Sequence, residues 1–326
     1  MSLFSPLKGF SNIHSSTVSN DIQDGLVEYF DWALLDKGNY FNVTKGETSP
    51  NGQDMSRLRM SSNDSYASGQ VWEGFRKNWV WQSGVSGVNM DAPLVSTNPD
   101  YPGVSGVYID DTFEPSSGVG TYAHTIDHFN GRVIFDTAVS SGTKVQVEHS
   151  YKYINVVYAN NVPWLREVQN NTIQPNSNFR DVSEGAWDIP PESRLQLPAV
   201  AIEMVPGRRF KGYALGGGQW IYSDVIFHCI AEDEYTRNQI VDIISLQNNK
   251  VIDIFDSNAI NDANAFPLDR MGSPVVSGLR FPDLVKSYPG GKIRLTNSSI
   301  QEMVMAKADV FGGVVRMTVE AIKPNI

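Results

Sequence analysis

Cysteine is nearly absent. The only one in 326 residues is Cys229. No intramolecular disulfide can form, which excludes a secreted fold stapled by disulfides. Long apolar runs are also missing. Neither the opening MSLFSPLKGFSNIHSS nor any later stretch approaches the roughly 20 residues that cross a bilayer. We therefore expect a soluble chain made in a reducing compartment, with no membrane partner. The Asn-x-Ser/Thr triplets at Asn42, Asn63, Asn170 and Asn297 are then expected to go unused. Positive charge is scarce: 26 Lys and Arg face 36 Asp and Glu, a net charge of −10. Such a surface repels phosphate backbones and disfavours nonspecific nucleic-acid binding.

What is present suits a globular protein. Hydrophobic residues make up 41% and charged residues 19%, which argues against wholesale disorder. The length suggests about two domains of ~100–200 residues. Residues 20–36 read as an amphipathic helix, with Ile22, Leu26, Phe30 and Ala33 on one face, Ser19 and Asn20 as caps and Gly38 as its stop. Residues 38–70 are polar and read as a long loop or arm. From 71 to 160 aromatic and β-branched residues dominate. Asn130-Gly131 predicts a hairpin with a type I′ turn. Residues 143–158 alternate with a period of two, the parity shifting near Tyr153 as a bulge or bend would produce.

Residues 160–195 have a connector's composition. Beyond them LPAVAIEM alternates on Val200, Ile202 and Met204, followed by a long glycine-rich turn through Gly218 and a strand over QWIYSDVIFHCIA. EDEYTRNQIVDIISLQNN reads as a helix burying Tyr235, Ile240, Ile243, Ile244 and Leu246. VIDIFD is a short strand or the entry to a loop. KIRLT alternates on Ile293 and Leu295. Gly312-Gly313 looks like a hairpin turn leading into a half-buried strand, with Val315, Met317, Val319 and Ala321 inside and Arg316, Thr318 and Glu320 wet. The predicted class is α+β: an N-terminal helix and arm over 1–60, a β-rich antiparallel module over 61–160, a linker over 161–195, and a C-terminal α/β module over 196–326 whose mixed sheet carries a flanking helix.

Several stretches imitate catalytic sites. His124 and His128 in HTIDHFNGRVIFD have a helical metal-binding spacing. On a strand they sit about 13 Å apart, too far to share one ion. Asp110-Asp111 lacks the spaced ligands of a calcium loop. Gly216–Gly218 is not a phosphate cradle, and Ser86 and Ser105 in the two GVSGV segments do not match a nucleophile elbow. Cys229 and His228 are strand neighbours and point to opposite faces. We accordingly expect no catalytic residue, no metal and no cofactor. Two features are candidates for partner contact. Trp72, Trp79 and Trp81 are dense enough to line a groove, or else form core or subunit interface. Arg208, Arg209 and Lys211 concentrate positive charge in an acidic chain, as a solvated loop tip or as a contact for an acidic partner.

Residues 195–256, with the strand LPAVAIEM, the turn GYALGGGQW, the strand IYSDVIFHCIAED and the helix EYTRNQIVDIISL, resemble the tail-terminator and tail-completion (neck) proteins of tailed bacteriophages. The helix at 21–36 is similar to the N-terminal helix of that family, and residues 107–158 look like β-modules common in phage virion proteins. Simple tail terminators are much shorter, so 40–190 would be an added module. The resemblance implies a structural virion protein without catalysis, a homo-oligomeric ring, expected to be a hexamer, at the head–tail junction. Its partners would be other neck and tail proteins, with DNA passing through the ring without specific binding. It would be located in the virion and, during assembly, in the host cytoplasm. A receptor- or carbohydrate-binding virion module and an unrecognised hydrolase are the alternatives.

Overall fold

The computed structural model describes residues 18–49, 52–61, 66–85, 91–96, 103–116, 118–159, 196–214, 217–263, 280–307 and 310–323. The expected connector at 160–195 and Ser86 lie outside these. The fold is α+β, with several antiparallel sheets and one curled mixed sheet.

Helix α1 (Val18–Asp36) buries Ile22, Leu26, Phe30, Leu34 and Leu35. Spacings of four put Ile22, Leu26, Phe30 and Leu34 on one stripe, while Leu35 turns to a separate cluster with Tyr40, Val80 and Val85; each large apolar side chain removed from water contributes roughly 1.5–3 kcal/mol. Ser19 and Asn20 fall inside the helix rather than capping it. Its end is as expected: Gly38 takes φ +89° and its N–H bonds Leu35 O, while Asn39 N–H bonds Leu34 O.

The expected arm at 38–70 is instead part of the β-rich body. Strand β1 (Tyr40–Val43) pairs antiparallel with β9 (His149–Lys152). Strand β2 (Arg59–Met60) starts a four-stranded sheet that continues through β3 (Val71–Glu73), β7 (Arg132–Phe135) and β6 (His124–Asp127). Leu58 is buried in the core between this sheet and a second one of β5 (Thr112–Pro115), β4 (Gly106–Ile109) and β8 (Val145–Val147). Polar composition hid these strands because they are short and their backbone partners are distant in sequence.

Two turns differ from expectation in kind. Asp127 pairs with Arg132, so the Asn130-Gly131 hairpin has a four-residue loop, with Gly131 at φ +65°. The buried Asp127 carboxylate holds it together, accepting from Asn130 N (3.0 Å), Asn130 Nδ2 (2.8 Å) and Arg132 Nε (2.8 Å). The two-residue turn is at Asp110-Asp111, both at positive φ, between Ile109 and Thr112. Asp and Asn tolerate that conformation better than other non-glycine residues.

The alternating stretch 143–158 is not one bent strand. β8 pairs with β4, β9 with β1, and β10 (Asn155–Tyr158) runs parallel to β11 (Ala199–Ala214). One continuous segment thus serves three sheets. β10 and β11 open the largest sheet, followed by β12 (Gly217–Ala231), β15 (Val310–Lys323), β14 (Pro289–Lys307) and β13 (Val251–Phe255), all antiparallel after the first pair.

The inner face of this sheet packs on α1 and on α2 (Glu234–Ser245), and two short helices, α3 (Ser257–Asp262) and α4 (Phe281–Ser287), add Ile260 and Leu284 to the same core. Asp233 caps α2 by accepting from Thr236 N at 2.8 Å. Helix α2 buries Ile240, Val241 and Ile244, but Tyr235 and Leu246, expected inside, are exposed. Gly312-Gly313 is not a turn. Both residues lie within β15, and Lys307 already pairs with Val310. A Cβ on Gly313 would come within 2.6 Å of Val241 Cγ2, so glycine here lets α2 lie directly on the sheet.

Helix α1 makes a similar approach. Gly25 faces Ile254 of β13, and an added Cβ would come within 2.7 Å of its Cγ2. Gly25→Ala should therefore destabilise the fold by about 1–3 kcal/mol despite alanine's better helix propensity. Urea denaturation checks this, and a stability gain would show that α1 can lift off the sheet freely.

His149 tests the β-rich body. Its ring lies 4.5 Å from that of Trp79, and burial pushes its imidazole down to about 4 from 6.5. The folded state keeps His149 neutral while the unfolded state protonates it. Its contribution is complete above pH ~6.5 and is lost as pH falls towards ~4, by about 3 kcal/mol. Stability against pH measured for wild type and His149→Phe should differ in slope across that window.

Candidate assembly surface

The candidate partner residues separate on the folded chain. Trp72, Trp79 and Trp81 are 3%, 1% and 3% exposed, so they are core, not an exposed groove or contact surface. Trp72 Nε1 donates to Gly69 O and Trp79 Nε1 to Arg76 O, which satisfies both indoles locally.

Arg208, Arg209 and Lys211 do not sit on a loop tip. The stretch expected as a long turn is mostly strand. β11 runs on to Ala214, which pairs with Gly217, and its register shifts between Met204 and Arg208. Arg209 pairs with Tyr222 and Lys211 with Trp220, while Arg208 pairs with Ser223. Strand alternation therefore puts Arg209 and Lys211 on the outer face of the sheet and Arg208 on the inner one, beside the buried Ser223. The glycines and proline suggested a loop, but pairing along both long strands overrides them.

The outer face is a wet polar lattice. Glu203 Oε2 and His228 Nε2 are 2.8 Å apart. Asp224 receives Arg316 Nη2 and, at 3.0 Å, Thr318 Oγ1. The Arg316 hydrogen bond, with the weaker one from Thr318, holds the Asp224 carboxyl below its usual range. Glu320 lies 4.0 Å from Arg294, and Lys292 lies 2.7 Å from Asp253. Trp220 and Tyr222 stack at 6.3 Å with 17° between their planes. Among residues whose side chains are described, five cations (Arg209, Lys211, Lys292, Arg294, Arg316) share this side with four carboxylates (Glu203, Asp224, Asp253, Glu320). Charges of both signs are thus interleaved on this face of a chain of net −10. The period-two pattern of residues 315–321 anticipated its central strand.

Sequence reasoning missed the two edges. β10 covers β11 only at Ala199–Ile202, and β13 covers β14 only as far as Arg294. Among the described residues, β11 from Arg208 to Ala214 and β14 from Ser299 onward have a strand on one side only. Each bare edge carries exposed apolar side chains: Phe210 at 59% on the first, Ile300 at 48% and Met303 at 42% on the second. Such edges are templates for pairing with another chain.

The apparent chemical motifs are used structurally. His124 Nδ1 donates to Tyr122 O at 2.7 Å, and His128 Nε2 accepts from Val104 N at 3.1 Å, so the two rings have different partners. Asp111 pairs with Lys45 (2.9 Å) and Lys144 (3.1 Å). Cys229 is fully buried on the inner face, where burial pushes its thiol up to about 12, while His228 lies on the outer face.

Because Arg208, Arg209 and Lys211 lie in a paired strand, trypsin should not cleave after them in the folded chain faster than the fold opens globally. Timed proteolysis with mass mapping checks this. Early cuts at these three sites would show that the outer half of β11 is not a stable strand.

Compared with protein-family models and with curated proteins, the chain matches none.

Proposed function

We propose that the protein is a structural component of a tailed-bacteriophage virion. In this reading it assembles as a closed homo-oligomeric ring, of hexameric order, at the neck between the capsid side and the tail. Its role is assembly, not catalysis. The observation that carries the reading is the pair of bare edges on opposite sides of one long sheet.

β11, β12, β15 and β14 alternate in direction. In a head-to-tail ring the next copy's β11 would therefore meet β14 antiparallel, continuing the alternation without reversing a subunit. The edges are also offset. Lys211 is level with Trp220 and so with Ile322 of β15, whereas Met303 is level with Gly313 of β15. The offset is 322 − 313, about nine residues or ~30 Å along the strand. Stagger of this kind is what tilted strands need to close into a barrel. Different surfaces meeting head to tail close into a ring when the rotation permits. The outer face, balanced in charge, would then line the lumen and let DNA pass without base-specific contact.

The alternative of a receptor- or carbohydrate-binding module drew on the tryptophan cluster, whose side chains are largely buried in the folded chain. The resemblance of residues 195–256 to neck proteins supports the position in the particle.

The head-to-tail geometry has a distinctive test. Phe210→Asp damages only the β11 edge and Ile300→Asp only the β14 edge. Each variant alone should remain monomeric under conditions where wild type forms rings. An equimolar mixture should give a heterodimer and nothing larger, because only one intact pair of edges exists between the two variants. Native mass spectrometry distinguishes the outcomes. Rings from either single variant would reject edge pairing, and labelled protein found away from the neck of imaged particles would reject the proposed position.

A further inference from the structure

Between α1 and the β-rich body lies a cavity of about 480 Å³, within the range of ligand pockets. One wall is the polar side of α1, the side opposite its buried stripe. Asp24, Glu28 and Asp31 follow at spacings of four and three, so the three carboxylates share one face. The outer two have partners. Asp24 accepts from Ser257 Oγ at 2.9 Å and interacts with Tyr158. Asp31 accepts from Lys152 Nζ at 2.7 Å and from Gln82 Nε2 at 2.9 Å. Glu28 lies between them, partly buried and lining the cavity; its carboxylate makes no hydrogen bond or ion pair with any described residue, and Lys152 is the positive charge that acts on it. Lys152 is the sole cation among the lining residues and is already committed to Asp31. The other walls are largely apolar or aromatic: Trp79, Trp81, Phe129 and Tyr158 all contribute.

A recessed carboxylate with no ion pair of its own, in a cavity it shares with aromatic rings, has a specific chemical complement. A hydrated metal ion would need several oxygen ligands, and the cavity offers few uncommitted ones. An organic ammonium ion needs only one counter-charge, and its weakly hydrated body is attracted to aromatic faces. We propose that this cavity is a binding site for a small organic ammonium ion, with Glu28 as its counter-ion and Phe129, Trp81 and Tyr158 as its aromatic wall. The site is internal to one chain and does not depend on ring formation.

The electrostatics agree with this geometry. Burial first, then the neighbouring Asp31, raises the Glu28 carboxyl to about 7, with Lys152 opposing and Asp24 adding to the rise. The groups facing it are Asp24 and Asp31 on α1, Lys152 on β9, Tyr158 on β10 and His128 in the β6–β7 loop. A bound cation favours the ionised form, so binding near neutral pH should release a proton.

Choline chloride is a suitable probe, titrated into the full chain against sodium chloride at matched ionic strength. Calorimetry should show saturable binding with one site per chain, and its heat should vary with the ionisation heat of the buffer because a proton is released. Glu28→Gln should bind at least tenfold more weakly and release no proton. It should be no less stable than wild type, because the substitution removes a carboxylate whose ionisation is disfavoured there by burial and by Asp31. Phe129→Ala changes a half-exposed loop side chain, should fold normally and should also weaken binding. No binding beyond the sodium chloride control, or equal binding by wild type and Glu28→Gln, would overturn the proposal. So would magnesium or calcium binding at the cavity in place of choline.

Discussion

The fold depends on how closely α1 can lie against the curled sheet. Ile22, Leu26 and Phe30 fill the inside of the curl, with Phe30 meeting Phe227 edge-on at 5.2 Å. Gly25 removes the side chain that would hold the helix away from Ile254 on β13, and Gln23 Nε2 reaches Ile202 O on β11 at 2.8 Å. The helix therefore touches strands from both ends of the sheet order, and the sheet curls around it. Interiors pack at crystal-like density, so a helix displaced by one methyl group would disturb contacts on both sides. The position of α1 also decides where its acidic face goes. With the apolar stripe committed to the sheet, Glu28 and Asp31 face the cavity beside the β-rich body, while Asp24 meets Ser257 of α3 and Tyr158 of β10.

Legibility in the sequence followed the range of the interaction. The stripe of α1, the strand at 199–204, helix α2 and the half-wet strand at 315–321 are encoded by local periodicity, and their positions were readable. The edges of those elements were not. β11 continues through Pro206, Gly207 and Gly212 because β12 pairs with it along nearly its whole length, a non-local effect that overrides local turn signals. Gly312-Gly313 carried a real signal with another meaning. These glycines mark a close helix approach, and the same absence of a side chain serves a turn elsewhere.

The candidate sites were hidden for related reasons. A bare strand edge has no composition of its own; it is defined by which neighbour stops early. The spacing of Asp24, Glu28 and Asp31 is, taken alone, that of the ordinary solvated side of an amphipathic helix. Only the tertiary arrangement turns that side inward. The tryptophans show the converse. Their density drew attention, yet burial assigns them to the core, with Trp79 and Trp81 lining the cavity from behind.

Residues 145–158 carry β8, β9 and β10, which belong to three different sheets, with only Glu148 and then Tyr153 and Ile154 between them. Side chains on a strand alternate between faces, so a single inserted or deleted residue reverses the facing of everything beyond it until the chain can compensate. Here no loop is long enough to absorb the error before the next sheet begins. This stretch thus acts as a ruler for the molecule: its length is fixed to the residue, and natural or engineered variation in chain length has to fall elsewhere.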